Sequence, residues 1–117
     1  MKTRYVVNEE KRTVACIIYD CECDLLDFVC KHSIGQLPIS FINGEDWILS
    51  SHYSGVAKCA PEDIFDAKIG KDLAYKRARK KYERARMNKL CSTFYSYYKP
   101  MNEMLELQNK RLNKACY

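Results

Sequence analysis

The order of apolar and polar positions predicts a β-hairpin at the start of the chain and a short helix after it. Residues 4–7 and Thr13–Tyr19 are two apolar runs rich in β-branched side chains, and the residues between them are mostly polar. Farther on, Leu25 and Val29 lie one helical turn apart, which predicts a helix over Asp24–His32. We expect this helix to cover one face of the small sheet.

The pattern is least regular over residues 36–54. The pair Asn43-Gly44 predicts a tight turn, so we expect irregular chain with one hairpin in this stretch. Residues 55–60 predict a last extended segment that enters the sheet. The segment ends before Pro61, because a proline followed by two acidic residues favours the first turn of a helix.

The rest of the chain predicts two long helices joined at Lys99-Pro100. Residues 61–98 are helix formers apart from Gly70, and the helix is expected to end at Lys99 because the residue before a proline avoids helical backbone angles. Beyond the proline an apolar stripe recurs at spacings of three and four residues. Its members are Met101, Leu105, Gln108, Leu112 and Ala115. The stripe predicts a second helix that folds back antiparallel on the first.

Together these elements predict an α+β fold: a small N-terminal antiparallel sheet with a short helix, followed by two long antiparallel C-terminal helices. We expect a single domain, residues 1–117, with a sheet region over residues 1–60 and a helical hairpin over residues 61–117. A chain of this size buries only about two thirds of its unfolded surface. We therefore expect a homo-oligomer, in which a second copy covers apolar surface that one small sheet cannot.

Positive charge is concentrated in residues 70–90. Nine of these twenty-one residues are Lys or Arg and two are acidic, which leaves the segment at about +7 and, because the chain carries +5, everything else at about −2. Alanines and tyrosines lie between the cations. Such a surface suits a ligand that offers phosphate to the cations and a base to the aromatic rings. A solvated charged face is the alternative interpretation.

Seven cysteines and two histidines are the candidates for metal or catalytic chemistry. The odd number of cysteines, with no secretory leader and no apolar run of membrane length, favours a reduced, cytoplasmic protein without a membrane partner. A zinc site would need paired ligands two or more residues apart, whereas one residue separates Cys21 from Cys23, and Cys30 and His32 point to different sides of a helix. A cysteine nucleophile with His52 as base is the catalytic alternative. We assign no catalytic residue, metal ligand or cofactor.

Residues 55–74, which read GVAKCAPEDIFDAKIGKDLA, resemble a segment of small proteins encoded by tailed phages and prophages. The shared frame is a glycine with small residues, then Cys-x-Pro-x-Asp, Phe-Asp, Gly and Leu-Ala, leading into a basic helix. Taken with the N-terminal hairpin and the C-terminal helices, the whole chain resembles the first type of phage Thoeris anti-defence protein.

The resemblance implies a sponge, a phage protein that captures a cyclic nucleotide immune signal in the host cytoplasm and holds it intact. The signal would be a cyclic ADP-ribose isomer or a cyclic oligonucleotide. The resemblance also implies a pocket that combines an aromatic and a basic residue on the long helix, an amide residue farther along that helix, and an arginine on the last helix. Transferred by position, the ligand-binding residues are Lys58, Tyr82, Arg84, Asn88 or Ser92 in the amide position, and Arg111.

Two other classes of function use the same basic helix. One is an inhibitor of a macromolecule, such as an anti-CRISPR protein, and the other is a nucleic-acid-binding module. Binding to nucleic acid weakens steeply with salt because several phosphates release counterions, whereas a small ligand with one to three phosphates gives a shallow dependence. Salt dependence therefore separates these classes.

Overall fold

The computed structural model describes residues 1–32 and 44–116. Its elements are β1 (Lys2–Asn8), β2 (Thr13–Tyr19), α1 (Asp24–His32), a 3-10 turn (Gly44–Trp47), β3 (His52–Lys58) and α2 (Ala67–Cys116). The predicted hairpin and short helix are confirmed as β1, β2 and α1. The predicted last extended segment is β3, which begins three residues earlier than expected. The turn predicted at Asn43-Gly44 lies partly outside the described residues.

The three strands form one antiparallel sheet in the order β1-β2-β3. Strand β2 is central, since it pairs with β1 on one side and with β3 on the other. Successive side chains of a strand point to opposite faces, and alternate residues of β2 are fully buried. These are Val14, Cys16 and Ile18. One face of the sheet therefore carries the core. Because β2 is central, β3 is an edge strand.

Helix α1 and the 3-10 turn complete the core. Leu25 and Val29 are both buried, one helical turn apart, as the sequence predicted. Trp47 is fully buried, and its ring meets the ring of Phe94 edge-on with the centroids 5.5 Å apart. Burial of these large apolar side chains supplies much of the stabilisation of so small a fold.

The first part of α2 lies directly on strand β3. A Cβ atom placed on Gly55 would lie 2.4 Å from the backbone nitrogen of Ala78 and 2.5 Å from the carbonyl oxygen of Ala74. Both alanines are fully buried. The small residues between the cations are therefore the contact face of the helix, and position 55 admits only glycine because two backbones approach closely there.

Helix α2 begins at Ala67, so the predicted start at Pro61 is wrong. Asp66 provides the N-cap, because the Lys68 N–H donates to Asp66 Oδ1 at 2.9 Å. The chain before it forms a turn in which the Asp63 N–H donates to a carbonyl three residues earlier. The acidic residues after Pro61 thus lie in a turn and not in the first turn of the helix.

Arg12 holds this turn from a distant part of the chain. Its guanidinium donates to the carbonyl oxygens of Pro61 and Asp63 and lies 3.3 Å from the sulfur of Cys59. In return, the Cys59 N–H donates to the Arg12 carbonyl at 2.9 Å. These bonds satisfy backbone carbonyl groups of the turn, which in a helix would instead accept hydrogen bonds from later N–H groups. The Cys-x-Pro-x-Asp frame is therefore a turn closed by the N-terminal hairpin.

A single helix replaces the two predicted C-terminal helices. Helix α2 runs for 50 residues with Pro100 inside it, so the predicted hinge and helical hairpin are wrong. A proline removes one backbone hydrogen bond and costs about 3 kcal/mol in a helix interior. Helix formers lie on both sides of it, however, and Asn102, the nearest residue that favours a turn, bonds within the helix to Glu106 at 3.4 Å. Pro100 therefore weakens the helix without ending it.

The long helix makes the molecule elongated. The longest extent is 77 Å, close to the roughly 75 Å that a helix of this length spans at about 1.5 Å per residue. We call residues 98–116 the tail, and the other described residues the body. Every residue from 98 to 115 is exposed except Asn102, which is half-buried. Across residues 1–32 and 44–116, no helix is both long and apolar enough to cross a membrane.

Candidate functional site

A basic cleft lies where α2 passes the edge strand β3. Its volume is about 420 Å³. The lining residues are Gly55 and Val56 of β3 and Arg77, Lys80, Lys81 and Arg84 of α2. The close packing at Gly55 brings the strand against the helix, so cations from two helical turns surround one concave surface. Four cations around one cleft favour the binding of an anion.

The cations of the basic cleft are not neutralised by acidic neighbours. Arg77 Nη1 donates to the carbonyl oxygen of Val56 at 2.6 Å, which anchors this arginine on the strand. The nearby Glu83 pairs instead with Arg79, at 3.4 Å. Among the described residues, no ion pair involves the other three cations of the cleft. Their charge is therefore available to a ligand.

A second, polar cleft of about 450 Å³ follows along the same helix. Helix α2 contributes Ala85, Asn88, Lys89 and Ser92, and the strand side contributes Tyr53 with residues 48–50. Tyr53 is half-buried, and its Oη accepts a hydrogen bond from the Ser50 N–H at 3.2 Å. The polar cleft thus combines an amide, a hydroxyl, a cation and an aromatic ring with the apolar side chains of Ile48, Leu49 and Ala85.

The two clefts lie side by side on one flank of α2. Five of their eight helix residues recur at spacings of three and four, which places these five on one face of the helix. The series is Arg77, Lys81, Arg84, Asn88 and Ser92. It extends roughly 22 Å along the helix axis, at about 1.5 Å per residue. We call the two clefts together the α2–β3 groove.

The groove contains three of the six predicted site residues. Arg84 lies in the basic cleft, and Asn88 and Ser92 lie in the polar cleft. Both candidates for the amide position therefore face the same space. The Ser92 hydroxyl donates to the Lys89 carbonyl at 3.3 Å and keeps its lone pairs for another donor.

Tyr82 lies in the core and not in the groove. Its side chain is 2% exposed, and its hydroxyl donates to Asp24 Oδ2 at 2.6 Å. The Arg86 guanidinium lies 5.4 Å from the ring centroid, and Tyr53 meets the ring edge-on. Burial raises the pKa of Tyr82, and the hydrogen bond to Asp24 raises it further. In this position Tyr82 fastens α2 to α1 and offers no ring face to a base.

Lys58 and Arg111 lie outside the groove. Lys58 lines a separate cleft of about 670 Å³ together with Glu62 and Asp63, next to the turn held by Arg12. Arg111 is exposed in the tail. It follows Arg84 by 27 residues of one helix, which corresponds to roughly 40 Å at about 1.5 Å per residue. One chain therefore cannot bring Arg111 to the groove.

The described cysteines and histidines form no group of metal ligands, and the thiols of Cys16 and Cys21 are buried. Across residues 1–32 and 44–116, no three His, Cys, Asp or Glu side chains come together as metal ligands. The ring of His32 lies against Phe28, with centroids 4.6 Å apart, and His52 Nδ1 lies 3.1 Å from the hydroxyl of Ser51. Burial raises the pKa of the Cys16 and Cys21 thiols, which makes both poor nucleophiles at neutral pH.

Several groove residues were not singled out by the sequence. They are Tyr53, Arg77, Lys80, Lys81 and Lys89. The three-four spacing of the α2 members is visible in the sequence and marks one face. Tyr53 has no such signal, because its distance from the helix depends on the packing of Gly55.

Comparison of this chain with protein-family models, with curated proteins and with solved structures finds no match.

Proposed function

We propose that this protein binds a small phosphate-bearing nucleotide in the α2–β3 groove and sequesters it without chemical change. The ligand class is a cyclic nucleotide signal, either a cyclic ADP-ribose isomer or a cyclic oligonucleotide. The biological role that follows from the sequence resemblance is that of a phage sponge, which lowers the concentration of a host immune signal by mass action.

The observation that carries the proposal is the combination of groups in one groove. Lys80, Lys81 and Arg84 supply charge that no described acid neutralises. The next turns of the same helix supply Asn88 and Ser92, whose amide and hydroxyl can bond to a base or a ribose. Each cleft exceeds 400 Å³, within the range of about 300 to 1,000 Å³ typical of small-molecule sites. A ligand with phosphate at one end and a base at the other would place its phosphate in the basic cleft and its base in the polar cleft.

We propose that the ligand is bound without chemical conversion because of the side chains that line the groove. Its described lining residues include no His, Cys, Asp or Glu, which are the usual general acids, bases and nucleophiles of hydrolytic enzymes. Lys and Arg bind phosphate as charges and forked donors. Sequestration requires only that the complex be tight and the protein abundant.

A second candidate is a macromolecular inhibitor that places its basic helix on nucleic acid or on an acidic protein surface. The favouring observation is that cations extend beyond the groove, since Lys76 and Arg79 are also exposed on α2. A polyanion could follow such a surface over several phosphates.

The two candidates are separated by one set of measurements. Purified protein is incubated with cyclic ADP-ribose isomers or cyclic trinucleotides, free ligand is measured after ultrafiltration, and the retained fraction is heated and analysed by mass spectrometry. The expected result is depletion of one ligand and its recovery intact, with a shallow dependence on salt. Cleaved ligand would indicate an enzyme. Binding only to duplex or guide RNA, with a steep salt dependence, would support the macromolecular inhibitor.

A matched pair of variants locates the binding site. Lys80→Ala/Arg84→Ala removes two charges from the groove, and Lys110→Ala/Arg111→Ala removes two from the tail. Loss of ligand in the groove variant alone is expected. Equal loss in both would mean that net charge, and not the groove, attracts the ligand.

A further inference from the structure

We infer that the tail of α2 pairs antiparallel with the tail of a second copy of this chain, as a short two-stranded coiled coil. The inference is independent of the proposed nucleotide binding, because the tail and the groove lie on different parts of α2. It specifies which surface associates, with what partner and in which orientation.

The tail carries a repeat typical of coiled coils. From Tyr98 onward, every third and then every fourth residue falls on one seam. The seam residues are Tyr98, Met101, Leu105, Gln108, Leu112 and Ala115. The alternation of three and four is a mean period of about 3.5 residues, which keeps one stripe facing a partner helix along its length. A helix that is surrounded by solvent and has no partner does not require such a repeat.

The seam is not covered by the body. Its large apolar members Tyr98, Met101, Leu105 and Leu112 are between 44% and 70% exposed. The body ends where Tyr97 donates to Asp46 Oδ2 at 3.1 Å, and the seam starts at the next residue. The apolar stripe therefore coincides with the part of α2 that the sheet does not reach.

The charges of the tail favour antiparallel pairing of two copies. The first half carries Lys99, Glu103 and Glu106, a net charge of −1, and the second half carries Lys110, Arg111 and Lys114, a net charge of +3. In an antiparallel pair the acidic half of each tail lies beside the basic half of the other. In a parallel pair like charges lie beside like charges, which is unfavourable. An identical second copy thus matches this surface in apolar pattern and in the net charge of the two halves, although Lys99 then lies opposite Lys114.

The spacing of the seam defines the register. Antiparallel helices place Leu105 opposite Gln108 of the partner, Met101 opposite Leu112, and the large Tyr98 opposite the small Ala115. The overlap then covers residues 98–115, roughly 27 Å at about 1.5 Å per residue. In this register residue 98 of each tail lies beside residue 115 of the other, so the two bodies lie at opposite ends of the overlap. Gln108 can extend its amide past Leu105 to solvent.

The association is tested first by sedimentation equilibrium. An overlap of this length is short for a coiled coil, so the wild-type chain is expected to change from about twice 13.7 kDa near 100 µM to 13.7 kDa near 1 µM. Leu112→Asp is expected to weaken the dimer by more than about 100-fold, since each dimer contains the substitution twice. The matched control is Asn113→Asp, which adds the same charge one residue away and off the seam. It is expected to change the dissociation constant by less than about threefold.

The orientation is tested by photo-crosslinking. Benzoylphenylalanine is placed at position 98 in chains mixed with isotope-labelled chains, and intermolecular crosslinks are mapped by mass spectrometry. Crosslinks to residues 112–116 of the other chain support the antiparallel pair. Crosslinks to residues 94–102 overturn it, as do a monomer at 100 µM or a dimer that Leu112→Asp leaves unchanged. Far-UV circular dichroism and thermal unfolding establish that the variants keep a folded body.

Discussion

The two parts of helix α2 differ in what keeps them helical. Over the body, the helix is held by contacts with other elements: Ala74 and Ala78 lie on Gly55, and Tyr82 bonds to α1 through Asp24. In the tail, the described contacts are local to the helix, such as the bond between Asn102 Nδ2 and Glu106 Oε1 at 3.4 Å. The body part depends on tertiary packing, and the tail depends on the helix propensity of its own residues.

The same comparison explains why the candidate ligand site and the candidate self-association surface are separate. A binding groove needs a second wall, and along residues 77–92 of α2 strand β3 and residues 48–50 provide one. Within residues 1–32 and 44–116 the tail has no second wall, and the inferred second copy would complete its apolar seam. Because α2 extends beyond the sheet, it can present two surfaces, each with a different partner.

The largest expected effect concerns the packing of the body. Gly55→Val should lower the free energy of unfolding by at least about 3 kcal/mol, because the added side chain meets the backbone of α2 at 2.4 Å and 2.5 Å. Urea unfolding followed by circular dichroism measures the change. Lys58→Val, at an exposed position of the same strand, is the control and should change stability by no more than about 0.5 kcal/mol. A mild effect at position 55 would contradict the close helix–strand contact.

The second prediction concerns the tail. Pro100→Ala restores a backbone hydrogen bond and should increase the local opening free energy of the tail by about 2 to 3 kcal/mol. Amide hydrogen exchange of residues 100–110, measured in dilute protein to avoid association, reports this change. The amides of residues 74–90 should keep their protection, and so should both regions in Lys99→Ala. An increase of similar size in the body would show that the two parts of α2 unfold as one unit.

The third prediction compares two arginines on the same helix. Arg84→Ala should weaken nucleotide binding by about 2 kcal/mol, on the scale of a charge-assisted hydrogen bond, while Arg111→Ala should leave it unchanged. Isothermal titration calorimetry with the ligand found by depletion measures both. A similar loss with Arg111→Ala would mean that the overall charge of the chain, and not the groove, attracts the ligand.

The smallest expected effect concerns Tyr82. Tyr82→Phe should cost about 1 kcal/mol near pH 7, because the hydrogen bond to Asp24 is lost. The pKa of Tyr82 is raised in the folded protein above its ordinary value of 10.0, so the folded state holds its proton after the unfolded state has released it. Wild-type stability should therefore decrease as the pH rises above 10, and Tyr82→Phe should show a shallower decrease. Parallel slopes for the two proteins would contradict this account of Tyr82.

Much of the local structure followed from the sequence. The hairpin and α1 were predicted with nearly correct bounds, because apolar periodicity and turn residues act over a few positions. The concentration of charge on one helix was equally visible. Two boundaries were wrong. The sequence predicted a helix start at Pro61, but a distant arginine, Arg12, holds that segment in a turn. Pro100 predicted a helix end, but the helix continues through it, and Asn102, the nearest residue that favours a turn, bonds within the helix to Glu106.

For the candidate site, too, the sequence determined some features and the tertiary structure decided others. The sequence determined that a cationic helix face exists, since spacing alone places Arg77, Lys81 and Arg84 on one side. It could not determine which aromatic ring accompanies them. Tyr82 has the right neighbours in the chain but is buried, and Tyr53 lies in the groove because Gly55 lets β3 approach α2. Periodicity along one helix is a local property, whereas the second wall of a groove is set by long-range packing, and only the tertiary structure decides it.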